Sequence, residues 1–110
     1  ELRGVAASGD GRRVAAVSAF YVEGTGTGPG RLTVWEAATG RVLARVREEG
    51  HTDLVALSPD GSLVASAEGG TIRVYAAAGG AERFAFRHAG AVTGLAFSPD
   101  GRTLAAAGYD

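Results

Sequence analysis

Apolar and polar residues alternate with a period of two along most of the chain, which is the pattern of β-strands with one buried face. Val42, Ala44 and Val46 alternate with arginines, and Phe84 and Phe86 follow the same pattern. Because no stretch of helical length shows a period of 3.6 residues, the predicted fold class is all-β. Ten strands are predicted, at residues 2–8, 13–22, 31–36, 41–47, 53–58, 62–68, 71–76, 81–87, 91–98 and 102–108.

Turn residues separate these strands at regular intervals. Three phrases, each made of serine, a variable residue, aspartate and glycine, begin at Ser8, Ser58 and Ser98. The aspartate can bond to the local backbone and the glycine permits a positive φ, so each phrase predicts a tight turn. The last two phrases lie 40 residues apart, and the same offset links Trp35 to Tyr75. A repeat of about 40 residues built from short strands indicates an array of β-blades.

The chain resembles the WD-repeat β-propellers over nearly its whole length. The resemblance rests on residues 95–105 around the last turn, on residues 70–75 and on residues 32–40. It implies blades of four antiparallel strands arranged as meanders, with the first strand of each blade nearest a central channel. It divides the chain into a first blade at about 1–48 with an insertion at 20–30, a second at about 51–87, and half of a third at about 91–110.

The resemblance also implies structural roles for individual residues. His88 and Asp110 fit the histidine and aspartate of a loop-bracing hydrogen-bond set, and Trp35 and Tyr75 fit its aromatic position. In the second blade, glutamate and glycine replace that histidine and aspartate, and tyrosine replaces the tryptophan. His88 and Asp110 could instead form half of a catalytic relay, but no serine or cysteine nucleophile stands in recognisable company.

Composition narrows the range of functions. The net charge of −1 gives no electrostatic attraction to nucleic acid or to an anionic membrane. No apolar run approaches the ~20 residues that span a bilayer. Cysteine is absent and there are only two histidines, so we expect no disulfide, no metal and no cofactor. Asp60 and Asp100 could be read as paired acids, but their Pro-Asp-Gly context predicts turn formers. We therefore expect a non-enzymatic protein, located in the cytoplasm.

The residue types that are missing suggest a source. The chain contains no lysine, asparagine, glutamine, methionine or cysteine, and all its basic residues besides histidine are arginine. Depletion of heat-labile residues is found in some thermophiles, and a GC-rich coding bias gives a similar skew. Both explanations favour a bacterial protein. The absence of an initiating methionine suggests a chain cut from something longer.

The insertion in the first blade is the main candidate for a binding site. It makes the segment between the second and third strands about ten residues longer than in the second blade, and it contains Phe20, Tyr21 and Glu23 before a glycine-rich run. A strand follows these glycines, which predicts a hairpin tip rather than a phosphate-binding loop. The resemblance places His51 on the same face. Loops on rigid scaffolds often bind partners, but a longer loop also costs little, so partner binding and a tolerated insertion both stay open.

The function predicted from these observations is a protein–protein interaction scaffold, part of a larger or oligomer-completed propeller. Its partner would be a protein, and self-association through exposed blade edges is a second route to assembly. One alternative is a small-molecule-binding or hydrolytic, lactonase-like propeller. Another is an excised or engineered fragment without independent function. The predicted inner strands carry mostly valine, alanine, leucine, glycine and threonine, which favours the scaffold over a site at the channel mouth.

Overall fold

A computed structural model describes residues 2–22, 26–48, 52–68, 70–88 and 90–108. Within these ranges the chain forms strands and turns and contains no helix. The ten strands, numbered in chain order, are β1 (Leu2–Ala7), β2 (Arg13–Val22), β3 (Gly26–Glu36), β4 (Val42–Glu48), β5 (Thr52–Leu57), β6 (Leu63–Glu68), β7 (Thr71–Ala76), β8 (Glu82–Arg87), β9 (Val92–Phe97) and β10 (Leu104–Gly108).

The strands form three antiparallel sheets in which each strand pairs with the next one along the chain. The first sheet has the order β1-β2-β3-β4, the second has the order β5-β6-β7-β8, and the third contains β9 and β10. This arrangement confirms the predicted all-β class and the four-stranded meanders. Nine strands begin within two residues of their predicted starts, whereas β3 begins at Gly26 rather than at residue 31.

The third and fourth strands pair in the same register in the first two sheets, and equivalent residues differ by 40 in number. Trp35 lies opposite Val42 in the first sheet, and Tyr75 lies opposite Glu82 in the second. A register shift lies immediately before each of these pairs, so the irregularity between the third and fourth strands is also repeated. Leu32 on β3 is therefore the structural counterpart of Ile72 on β7.

The core lies between the first and second sheets. Val17, Leu32 and Val34 of the first sheet are completely or almost completely buried, and they cluster with Val64 and Tyr75 of the second. The burial of each side chain of this size contributes about 1.5–3 kcal/mol to the free energy of unfolding. The period-two pattern placed Leu32 and Val34 on one face of β3, and that face is buried against the second sheet.

Backbone hydrogen bonds also join the first two sheets. The Asp10 N–H donates to the Pro59 carbonyl oxygen over 3.1 Å, and the Gly79 N–H donates to the Leu43 carbonyl oxygen over 3.0 Å. The guanidinium of Arg13 donates to the Gly61 carbonyl oxygen over 2.9 Å. These bonds fix the position of each sheet on the next, so that loops of both are held on a common support.

Candidate partner-binding site

The first sheet extends beyond the second at the turn between its second and third strands. Ser18 pairs with Arg31, just as Glu68 pairs with Thr71 in the second sheet. Beyond Glu68 only two residues separate the strands, whereas the first sheet continues with the backbone pairs Ala19–Gly30, Tyr21–Thr27 and Val22–Gly26. We call residues 19–22 and 26–30 the arm. The four residues of β2 in the arm, at about 3.3 Å each, carry it about 13 Å past the sheet.

The arm contains a bulge, which explains how it accommodates a proline. The register shifts between Ala19 and Tyr21, so that β3 carries one residue more than β2 across this interval, which includes Gly28 and Pro29. A bulge leaves one residue outside the hydrogen-bond ladder, and proline has no N–H to donate, so the two features are compatible.

The glycine-rich run is therefore partly strand, which corrects the prediction that a hairpin tip occupies the whole of it. Glycine has a low intrinsic preference for strands, so composition alone placed the start of β3 at residue 31. Pairing with β2 over Ala19–Val22 provides the cross-strand hydrogen bonds that override this weak preference and extend the strand back to Gly26.

The structure locates some of the predicted binding residues and not others. Phe20 and Tyr21 belong to β2 within the arm. Glu23 and His51 lie outside the described residues, as does Asp110. The end of β4 lies beside the base of the arm, because Gly30 pairs with Glu48. The arm and the end of the first sheet's outer strand thus share one end of the molecule.

The same end of the second sheet shows how a connection between sheets packs there. The His88 N–H donates to the Gly70 carbonyl oxygen over 2.7 Å, and the His88 ring nitrogen Nδ1 lies 3.2 Å from both the nitrogen and the oxygen of Gly90. A Cβ at Gly70 would lie 3.0 Å from the Gly90 oxygen and 3.1 Å from the His88 oxygen. A side chain at this position would press on the backbone of His88 and Gly90, because the chain leaving β8 passes directly over it.

The Ser-X-Asp-Gly turns occupy the opposite end of the sheets. In the second sheet, the Ser58 hydroxyl donates to Asp60 Oδ1 over 2.9 Å and accepts the Leu63 N–H over 3.0 Å. Asp60 Oδ1 also accepts the backbone N–H of Ser62 over 3.0 Å and its hydroxyl over 2.7 Å. Gly61 has a φ of 76°, in the left-handed region that glycine tolerates.

The other two turns repeat this arrangement and its electrostatics. Asp10 accepts the Ser8 hydroxyl and the Arg12 N–H, and Asp100 accepts the corresponding groups of its own turn. These hydrogen bonds stabilise the carboxylates and lower the pKa of Asp10 and of Asp100, most strongly through the serine hydroxyl. The Ser62 N–H is the largest cause of the lowering of the Asp60 pKa to about 2. Each aspartate is thus an ionised acceptor held within its own turn.

A cavity of about 530 Å³ lies beside the first of these turns. Its lining combines the turn after β1 with the turn after β3, and no motif in the sequence predicts that these two turns together enclose a cavity. Part of its polar surface is engaged, because Arg13 donates to Gly61 and the Glu36 carboxylate accepts the Thr39 hydroxyl over 2.8 Å. The lining residues are Gly11, Arg12, Arg13, Glu36, Ala37 and Ala38.

The described ranges contain neither a metal-binding cluster nor a membrane-spanning helix. No group of three or more histidine, cysteine, aspartate or glutamate residues with the geometry to hold a metal ion occurs there. In the same ranges, no helix has the length and apolar character needed to cross a membrane.

The geometry of repeated four-stranded meanders agrees with a comparison with protein families. The WD40 family model, described as WD domain, G-beta repeat, matches residues 42–76 and 82–110, which together make up more than half of the chain. The chain belongs to the WD40 family. Each matched WD40 segment starts at or near the outer strand of one sheet and continues into the next, so the repeat in sequence bridges two blades. A comparison with curated proteins gives no match.

Solved structures show the same WD40 fold. The chain is 21% identical to the RRP9 WD40 repeats, with a TM-score of 0.73 over 96% of this chain. It is 21% identical to a chain of the complex of KlAtg21 with the coiled-coil of AgAtg16, with a TM-score of 0.77 over 97%. It is 19% identical to a chain of Kuenenia stuttgartiensis hydrazine synthase, with a TM-score of 0.71 over 96%. The chain spans about a third of their lengths, at 32%, 36% and 28% respectively.

Proposed function

We propose that this chain is a non-enzymatic protein–protein interaction scaffold within a larger WD40 propeller, and that its arm contacts the protein partner. The observation that carries the proposal is the extension of β2 and β3 beyond the Ser18–Arg31 pair. The second sheet ends its equivalent hairpin at Glu68 and Thr71, so the arm is an addition to the repeat and is not needed to complete the sheet.

The support beneath the arm suits a binding role. Val17 and Leu32 lie next to its base and are 0% exposed, which anchors both strands in the core between the sheets. A segment that projects from such a support can present its residues to a partner with little loss of conformational freedom. Phe20 and Tyr21 are of the residue class that often anchors interfaces.

Two further considerations support a protein partner and a larger assembly. One structural neighbour, KlAtg21, was solved with a coiled-coil of another protein, which is an example of a protein partner on this fold. The third sheet has two strands in the part of the chain that the structure describes, whereas each of the other two sheets has four. Further strands would complete it to the same size. A cytoplasmic location remains a prediction.

The experiment that tests this proposal replaces residues 19–30 with two glycines, the length of the equivalent turn in the second sheet. Tagged protein would be isolated from its native cells after chemical cross-linking, and the affinity of any recovered partner would be measured by calorimetry with purified components. We expect the replacement to abolish binding.

The matched control is Arg102→Ala, which changes an exposed residue in the last Ser-X-Asp-Gly turn, at the opposite end of the sheets. We expect the control to bind normally. Undiminished binding by the arm replacement would contradict the role of the arm, and the absence of any protein partner would contradict the scaffold itself.

A further inference from the structure

Three exposed arginines form a cluster on one face of the first sheet, beside the base of the arm. Arg31 on β3 lies directly opposite Arg47 on β4, and Arg45 precedes Arg47 by two residues, so all three belong to the same face. Arg45 and Arg47 are about 7 Å apart along the strand, and Arg31 is about 5 Å across from Arg47. We call these three residues the arginine cluster.

The charges of the arginine cluster oppose the stability of the sheet. Like charges placed directly opposite each other on neighbouring strands are destabilising. Among the residues that the structure describes, no acidic side chain forms an ion pair with the cluster, whereas Arg73 of the second sheet pairs with Glu82 over 3.0 Å. Local arrangements that work against folding are expected where function requires them.

The repeat shows that the fold does not need arginine at these positions. With the 40-residue offset, Thr71 and Ala85 of the second sheet are the counterparts of Arg31 and Arg45. The third counterpart is Arg87, which lies opposite Thr71 rather than opposite a second arginine. Two of the three charges are therefore specific to the first sheet, which is also the sheet that carries the arm.

The repeat also indicates that a preceding blade would leave the cluster accessible. In the second sheet, the face that carries Ala85 and Arg87 also carries Tyr75, which packs in the core shared with the first sheet. Ala85 and Arg87 are nevertheless exposed. Blades set radially around an axis separate toward their outer strands, which explains this exposure. A sheet packed before the first one would therefore leave the outer part of the cluster open to a partner.

We propose that the arginine cluster binds an extended acidic segment of the protein partner that contacts the arm. This inference rests on the proposed function, because Arg31 directly follows the last residue of the arm. An extended segment with a carboxylate at every second residue repeats its charge about every 7 Å, which is the spacing of Arg45 and Arg47. Each guanidinium can hold a carboxylate through two parallel hydrogen bonds.

The charge of the whole chain favours a short protein segment over a larger polyanion. Binding to nucleic acid or to an anionic membrane is driven by a broad positive field. The net charge of −1 provides no such field, so the positive charge of the cluster acts only at close range. A few carboxylates placed by the partner on the arm match a cluster of three cations.

The test uses the full chain and a fluorescent peptide of four Glu-Thr repeats, with binding measured by fluorescence anisotropy at low salt. The variant Arg31→Thr/Arg45→Ala gives the cluster the residues of its counterparts, which the same positions of the second sheet already accommodate. The matched control is Arg83→Ala/Arg102→Thr, because it removes two exposed arginines outside the cluster and changes the net charge equally.

We expect the peptide to bind the unaltered chain and the control equally, and to bind the cluster variant about tenfold more weakly, because two of three charged contacts are lost. An isomeric peptide with four glutamates followed by four threonines should bind the unaltered chain about threefold more weakly, because only alternation matches the arginine spacing. The cluster variant should also unfold at a higher urea concentration, since the opposed like charges are gone. A loss of binding through unfolding is thereby separated from a loss of contacts.

Four results would overturn the inference. They are the absence of peptide binding, an equal loss in the cluster variant and the control, equal affinity for the two peptides, and tighter binding of single-stranded RNA or phosphatidylserine vesicles through the cluster. The replacement of residues 19–30 retains the arginine cluster, so the two proposals fail separately. A partner that is lost with the arm but held normally by the cluster variant would support the scaffold and refute the acidic segment.

Discussion

Substituting Ser58 by alanine should destabilise the chain through one turn. Ser58 is 2% exposed, and its hydroxyl both donates to Asp60 and accepts the Leu63 N–H. Alanine removes both hydrogen bonds and leaves the Leu63 N–H without its acceptor, while Asp60 keeps its two bonds from Ser62. Leu63 is partly buried, and leaving a donor without a partner away from water costs about 1–3 kcal/mol. We expect a loss of about 2 kcal/mol in the free energy of unfolding.

The repeat provides an internal control for this prediction. Ser98 makes the same pair of bonds, to Asp100 and from the N–H of Thr103, but Ser98 is only half-buried and Thr103 is exposed. Water can replace the lost hydroxyl at such a site, so Ser98→Ala should cost less than about 1 kcal/mol.

Urea unfolding followed by circular dichroism would measure both variants. With a slope of about 1–3 kcal/mol per molar urea, a loss of 2 kcal/mol lowers the midpoint by roughly 1 M. Equal losses for Ser58→Ala and Ser98→Ala would refute the argument from burial. A loss below about 0.5 kcal/mol for Ser58→Ala would refute the argument that the Leu63 N–H depends on this hydroxyl.

Three further predictions concern pH, packing and the arm. The Asp60 pKa is lowered to about 2, so its contribution to stability should be complete above the ordinary value of 3.8 and be lost as pH falls through 2, and acid unfolding of Asp60→Asn should lack this component. In thermal unfolding, Leu32→Ala should cost about 2–5 kcal/mol, whereas Val5→Ala, at a site 59% exposed, should cost under about 0.5 kcal/mol. Replacing residues 19–30 with two glycines should leave the melting temperature nearly unchanged, and a large fall would place the arm in the core.

Most of the fold follows from features that are local in the sequence. Strand alternation gives the two faces of each sheet, and the Ser-X-Asp-Gly phrases give the turns, because both depend on residues a few positions apart. The 40-residue offset then relates one sheet to the next, and the registers of Trp35 and Tyr75 agree with it. The family and the fold class could therefore be inferred before any contact between sheets was known.

Features that depend on contacts between distant segments could not be inferred in this way. The early start of β3 is set by pairing with β2, against the weak strand preference of its glycines. The exposure of Phe84 differs from that of Ala44 although both follow the same alternation, because the difference lies in the sheet that covers them. The cavity beside Glu36 is formed by two separate turns. No periodicity in the sequence carries this information.

Self-association through the edge of β10 meets a geometric obstacle. A twofold axis that pairs β10 with its copy in antiparallel fashion is perpendicular to the sheet, so each face of the third sheet stays on its own side. Leu95 and Phe97 lie on the half-buried face, opposite Ala106 and Leu104. Because β9 contacts β5 and β6, this face packs on the second sheet. Both second sheets would therefore lie over the same face of the joined strands.

The second sheets would then collide. Each has two strands, β7 and β8, beyond the β5–β6 pair that contacts β9. At about 4.8 Å per strand, β7 and β8 reach over the two places that the copy's strands would fill. Phe84 and Phe86 on β8 face the positions that the copy's strands would occupy. We therefore expect no dimer through β10 in sedimentation of the 110-residue chain. A dimer of this kind would be recognised by its loss in the Ala106→Pro variant. Such a dimer would mean that the third sheet lies further from the second than the repeat requires.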